Sequence, residues 1–192
     1  MLLLVFRIFY TRPRLIASII EDDIKLITLA LEKIDSKCNI LTISKGNSHV
    51  DFLNVKSFEG SQIGSLVLAY PDRWEGPYLS VNPTIQDKFY EIVRAKGGAF
   101  VLPGTGVTLP NGKVIGKDFK ITERTDVEIM FQENGLLRYG DKVLGGKLMF
   151  KVGDWDSWHL NKETVESFDR MLKEFHEAMP YTKNEQSLGS VS

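Results

Sequence analysis

Between Pro13 and Lys37 one aliphatic stripe dominates the chain. Ile16, Ile20, Ile24, Ile27, Leu31 and Ile34 recur at steps of three and four, which places them on one face of an α-helix. Leu15, Ile19, Leu26 and Leu29 widen the apolar zone beyond a single seam. A helix with so broad a greasy surface must be wrapped by a sheet or by copies of itself, because its apolar area is unfavourable in water. Pro13 suits the first turn of such a helix, where its missing N–H bonds nothing. The element restricts the chain to folds in which a long helix lies on a second layer.

The residues before it, MLLLVFRIFYT, form an apolar run of about ten residues broken by Arg7, roughly half of what a bilayer crossing needs. The run lacks the basic start and the small-residue cleavage site of a secretory signal. With 192 residues and 43% apolar content, the chain has the size and composition of one globular body with a real core. The 24 Lys and Arg against 25 Asp and Glu leave a net charge of −1 without a basic stripe, so no nucleic acid partner is expected. Cys38 is the single cysteine, which excludes an internal disulfide, a four-thiolate zinc site and a CxxC redox pair. The bland expectation is that it serves as a small buried hydrophobe.

After Cys38 the grammar becomes that of strands. NILTIS and HVDFLNV alternate and are rich in β-branched residues. Residues 58–70, FEGSQIGSLVLAY, are ambiguous: two glycines weaken a helix, while Leu66, Val67 and Leu68 fit a buried strand or a helical turn equally well, and the expectation leans to a short helix or irregular turn. KFYEIVR from Lys88 alternates Phe89, Glu91 and Val93 against Tyr90, Ile92 and Arg94, and Gly97-Gly98 turns it into AFVLP. Asn111-Gly112 predicts a two-residue hairpin turn. TERTDVEIMF fits a short helix capped by Thr125 or Asp126, and further strands follow around Gly140-Asp141 and Gly145-Gly146. Finally, Val165, Phe168, Leu172, Phe175 and Met179 form the stripe of an amphipathic helix that opens at Asn161 and stops at Pro180.

Signs of chemistry are weak. Asp154, Asp156 and His159 cluster in GDWDSWH, where carboxylates and an imidazole could bind metal or move protons in a hydrolase. Their spacing matches neither a zinc helix nor an EF-hand loop, and a turn covered by Trp155 and Trp158 explains them as well. PGTGV, residues 103–107, has a GxG but no helix opening after it to complete a phosphate cradle. No GxSxG occurs, and His49, His159 and His176 stand in unrelated contexts. No catalytic, cofactor or metal residues are assigned, and the expectation is a protein that is not an enzyme.

The stretch PDRWEGPYLSVNP, residues 71–83, combines three prolines with a tryptophan and a tyrosine. Proline marks a surface connection, whereas the aromatics prefer burial. Together with DIKLITLALEKI, SLVLAYPDRWEGPYLS and KFYEIVRAKGGAFVLPGTGV, it resembles the pilin-like proteins, especially the pseudopilins of bacterial type II secretion systems, over about residues 13–122. In that family acidic and aliphatic residues alternate along the second half of the long helix, as from Ile20 to Ile34. A Gly-Pro-Tyr-Leu stretch precedes the sheet, matched here by Gly76, Pro77, Tyr78 and Leu79.

The resemblance implies an α+β fold: a long N-terminal helix packed on an antiparallel β-sheet, here with an added C-terminal amphipathic helix. Residues 1–12 are then a short apolar segment, 13–180 one domain and 181–192 a polar tail. It also implies a non-catalytic structural subunit without cofactors. Such a subunit assembles through a helix face of Ile16, Ile20, Ile24, Ile27, Leu31 and Ile34, and Trp74, Gly76, Pro77, Tyr78 and Leu79 pin the loop onto the core. Expected partners are other pilin-like subunits or secretion-system proteins, with self-association included. The implied location is the inner membrane facing the periplasm, provided a hydrophobic segment lies upstream, and the cytoplasm if Met1 is the true start. The family's leader, processing glycine and following glutamate have no counterpart in MLLLVFRIFYT, and its calcium loop has none either, so no metal is carried over. A soluble protein-binding module of the same fold, working through a sheet edge or the C-terminal helix, is the alternative.

Overall fold

The structure is a computed structural model that describes residues 2–44 and 47–150. These residues belong to one compact unit spanning Met1–Val152. Its architecture is α+β, with one long N-terminal helix and antiparallel sheets. Residues 151–192, which include the expected C-terminal helix, its tail and the cluster Asp154, Asp156 and His159, lie outside the described residues.

Helix α1 (Leu2–Cys38) is 37 residues long, about 55 Å at the usual rise. It starts earlier than the proline signal suggests. Pro13 lies inside it, where a proline forfeits one backbone hydrogen bond, and the good helix formers on either side carry the helix across that gap. The stop is sharper. Asn39 takes a left-handed conformation at φ 53°, a common helix ending for asparagine. The buried Asp35 accepts the Ile40 amide at 2.9 Å. Tyr70 and Ala69 donate their amides to the Cys38 and Asn39 carbonyls, each at 2.9 Å, so the helix end is bonded to the chain that leads into the proline-rich loop.

The first sheet contains β1 (Ile40–Ile43), β3 (Gln62–Ile63) and β4 (Leu66–Leu68) in the order β1-β4-β3. Residues 58–70 therefore hold a hairpin instead of a short helix. Gly64 at φ 54° supplies the turn, and a side chain there would collide with the Phe52 ring. Alternation then buries Leu66 and Leu68 while Val67 stays half-buried. Of HVDFLNV only the start is strand: β2 (Asn47–His49) pairs with Glu91–Val93. Beyond it Val50, Phe52 and Leu53 are buried from a turn in which Val55 donates to the Phe52 carbonyl.

The larger sheet runs β10 (Gly146–Lys147), β7 (Gly98–Pro103), β6 (Lys88–Ala95), β2, with β5 (Thr84–Ile85) also paired to β6. Its centre is the hairpin of β6 and β7, in register from Tyr90 opposite Pro103 to Ala95 opposite Gly98. The alternation expected along β6 is only partly realised, because Tyr90, Glu91, Ile92 and Val93 are all buried. Both faces of this strand are covered. The Asn111-Gly112 turn is also longer than expected: Leu109 accepts from Gly112 and donates to Lys113, and only Gly112 has positive φ. Pro110 pre-sets the first turn position, which favours a type I turn closed by a left-handed glycine over a two-residue loop.

Downstream, α2 (Val127–Met130) is capped by Asp126, whose side chain accepts from the Ile129 amide. Strands β8 (Arg138–Tyr139) and β9 (Lys142–Val143) form a two-stranded sheet, and β10 (Gly146–Lys147) joins β7. Helix α1 packs against β7, β9, β10 and the 3-10 turn Pro71–Arg73.

Candidate assembly surface

Helix α1 has two apolar faces. Ile20, Ile24, Ile27, Leu31 and Ile34 are buried, and Ile16 is half-buried. They meet the sheets of their own chain, so the stripe expected to mediate assembly is the core face, a correction with a simple cause. Periodicity identifies a face that must be covered but is silent on what covers it.

The other face holds the remaining aliphatics. Leu15 is 62% exposed, Ile19 39%, Leu26 46% and Leu29 63%. At about 100° per residue this face is centred roughly 140° from the buried one. With the exposed Asp22 and Lys33 the spacing from Leu15 is four, three, four, three, four, the step pattern of the inward positions of a coiled coil. The sequence contained this surface, but as a widening of the stripe and not as a second seam.

Polar contacts fix which way the helix faces. Tyr90 is fully buried and donates its hydroxyl to Asp23 Oδ2 at 2.8 Å, which joins β6 to α1. Burial pushes the Tyr90 phenol up, and the adjacent carboxylate adds to the shift. Burial likewise raises Asp23, against the lowering effect of the Tyr90 bond. Two residues before Asp23, Glu21 is reached by Lys142 at 2.7 Å. That bond holds the Glu21 carboxyl below the ordinary range. Asp22, between these two anchored acids in sequence, is exposed on the seam.

Two walls flank the seam. One is the proline-rich loop, where Trp74 Nε1 donates to the Val55 carbonyl at 3.1 Å. The Trp74 ring meets Phe58 and Tyr78 edge-on at 5.2 and 4.8 Å. Gly76, followed by a cis bond to Pro77, lies so close that a Cβ would strike both Trp74 Nε1 and the Val55 carbonyl. The amides of Tyr78 and Leu79 both donate to the Leu53 carbonyl. The five expected anchor residues thus converge on one clamp. Its aromatics are half-buried instead of buried, because the rings pack on one another at the rim. The clamp touches the helix through Lys37 and Glu75, 3.0 Å apart, and through the Lys33 ammonium, 5.6 Å from the Tyr78 ring centroid. The second wall is an open groove of about 410 Å³ between α1 and the β9–β10 region, lined by Glu21, Thr28, Leu29, Val143 and Gly146 among others.

Among the described residues there is no group of three or more His, Cys, Asp or Glu side chains placed to hold a metal ion. Burial pushes the Cys38 thiol up, which disfavours the reactive thiolate. Glu91, a buried carboxylate, accepts from the Thr105 amide at 2.8 Å and from its hydroxyl at 3.3 Å. In the PGTGV turn, then, an amide that a phosphate could use is already bonded to an anion of the protein. His49 is exposed on β2, with Nε2 3.8 Å from Glu91 Oε1. Among the described residues no helix is long and apolar enough to cross a membrane. Comparison with protein-family models, curated proteins and solved structures finds no match to this chain.

Proposed function

We propose that this chain is a non-catalytic structural subunit, similar to a pseudopilin, that assembles with copies of itself or with related subunits through its N-terminal helix. The reading treats the helix and its antiparallel sheets as pilin-like and sets the protein at the inner membrane, facing the periplasm. The observation that carries it is the second apolar face of α1, with Leu15, Ile19, Leu26 and Leu29 exposed on a helix whose other face is already buried. A surface of this kind costs solubility unless another molecule covers it. The half-buried clamp around Trp74, Gly76 and Tyr78 agrees with this role, since it fixes the position of the helix end against the sheets.

The test is sedimentation equilibrium of the full chain beside Leu26→Glu. The wild type should associate at concentrations of about 100 μM or below. The variant should be monomeric with an unchanged circular dichroism spectrum. A wild type that stays monomeric over that range, or a variant that associates equally well, overturns the reading.

A further inference from the structure

The amino end of α1 differs from the rest of the helix in both polarity and charge. Its positions Leu2–Thr11 hold only Leu, Val, Ile, Phe, Tyr and Thr besides Arg7, so this stretch has no polar face. Arg7, Arg12 and Arg14 are the only charged residues before Glu21. Arg12 and Arg14 are exposed on either side of the half-buried Pro13, and among the described residues neither makes an ion pair. Among the described side chains of α1 the first to be buried is Ala17, so the helix joins the core just after the arginines.

We infer that Leu2–Thr11 enters one leaflet of a lipid bilayer and that Arg12 and Arg14 bind anionic phospholipid headgroups at its surface. A helical stretch that is apolar all round needs cover on every side. A partner helix or sheet covers one side, whereas lipid surrounds it. Ten residues extend about 15 Å at the usual rise, half of the roughly 30 Å of a hydrocarbon core. That length sets Arg12 and Arg14 at headgroup depth, next to Tyr10, a residue type suited to the interface.

Guanidinium groups bind phosphate oxygens in a bidentate fork, and no acid lies nearby in sequence to oppose an anionic surface. Arg7 is about 8 Å along the axis from Arg12, a depth from which an arginine stem reaches the headgroups. The seam from Leu15 to Leu29 stays above the surface, and every copy held in this way points its helix in the same direction. The inference goes beyond the proposed assembly and shares no residue with it, so either can fail alone.

Co-sedimentation with large unilamellar vesicles tests it, using the full chain with Leu26→Glu so that self-association adds no avidity. Vesicles with about one-third phosphatidylglycerol should bind at least about tenfold more tightly than pure phosphatidylcholine vesicles at low salt. Raised salt should shrink that difference. Arg12→Gln with Arg14→Gln should weaken binding to the anionic vesicles about twentyfold, and Arg12→Lys with Arg14→Lys should stay within about threefold of the parent. Phe6→Glu should weaken binding to both kinds of vesicle at least about tenfold. Thermal melts verify that each variant is folded. Equal binding to the two kinds of vesicle, binding to neither, a glutamine pair that binds like its parent, or an unaffected Phe6→Glu overturns the inference. If it falls while Leu26→Glu still abolishes association in solution, assembly through α1 stands without this membrane contact. If binding follows lipid charge while Leu26→Glu associates like wild type, the membrane contact stands and the assembly reading falls.

Discussion

Ile27 and Leu26 are neighbours in sequence, similar in size and on the same helix, yet one is fully buried and the other 46% exposed. The buried face of α1 reads as an unbroken aliphatic row from Ile20 to Ile34. On the exposed face, pairs of aliphatic residues are followed by an acid and then a base. The difference shows how to distinguish a surface made for the chain's own core from one left for a partner. A core face needs only volume and apolar area, and a charge on it must find a bond inside the molecule, as Asp23 does with Tyr90. A partner face needs a register, and charges placed between the aliphatic positions can supply one.

The largest expected effect separates the two faces directly. Ile27→Ala should destabilise the protein by about 3–4 kcal/mol, the cost of an emptied, closely packed site. Leu26→Ala should change the monomer by less than about 0.5 kcal/mol, as for an ordinary surface position. Urea unfolding of both variants at a concentration too low for association checks the pair. Equal losses would mean that the two faces are buried alike, which would break the comparison.

A smaller effect belongs to the clamp beside the seam. Trp74→Ala should cost about 2 kcal/mol, below the 3–5 kcal/mol of a fully buried aromatic, because the ring is half-buried but gives up its bond to the Val55 carbonyl. Urea unfolding reports the loss, and a cost under about 0.5 kcal/mol would show that the clamp does not hold the helix end.

Much of this was legible in the residues. The long helix, the β6–β7 hairpin and a cap at Thr125 or Asp126 follow from local signals, namely periodicity, paired glycines and a capping side chain, whereas the loop residues Trp74, Gly76, Pro77, Tyr78 and Leu79 come from the family resemblance. Three other features were not legible. The β3–β4 hairpin depends on Gly64 taking positive φ under the Phe52 ring, a contact between segments that local pattern cannot see. The Asn111-Gly112 turn departs from the two-residue form because Pro110 has its own preference. The assignment of helix faces failed for a deeper reason: a sequence states how much of a helix is apolar, and only the packed chain decides which part remains outside.

The smallest effect probes the two adjacent acids, Asp22 on the seam and Asp23 against the core. Tyr90→Phe removes the bond to Asp23 Oδ2 and should cost about 1 kcal/mol at neutral pH, where the half-buried carboxylate loses its donor. The pH dependence gives a clearer signature. In the wild type the phenol is raised above its ordinary value of 10.0, so folded and unfolded chains are both protonated below that pH and the contribution is complete there. As pH rises from that value toward the folded pKa, the unfolded phenol ionises while the folded one keeps its proton, and stability is lost. Tyr90→Phe should therefore narrow its deficit relative to wild type above about pH 10, because it lacks this ionisation. Chemical denaturation at pH 7 and at about pH 11 measures the two differences. A deficit that stays constant would mean that Tyr90 titrates alike in both states, and that the bond to Asp23 does not orient the helix on the sheet.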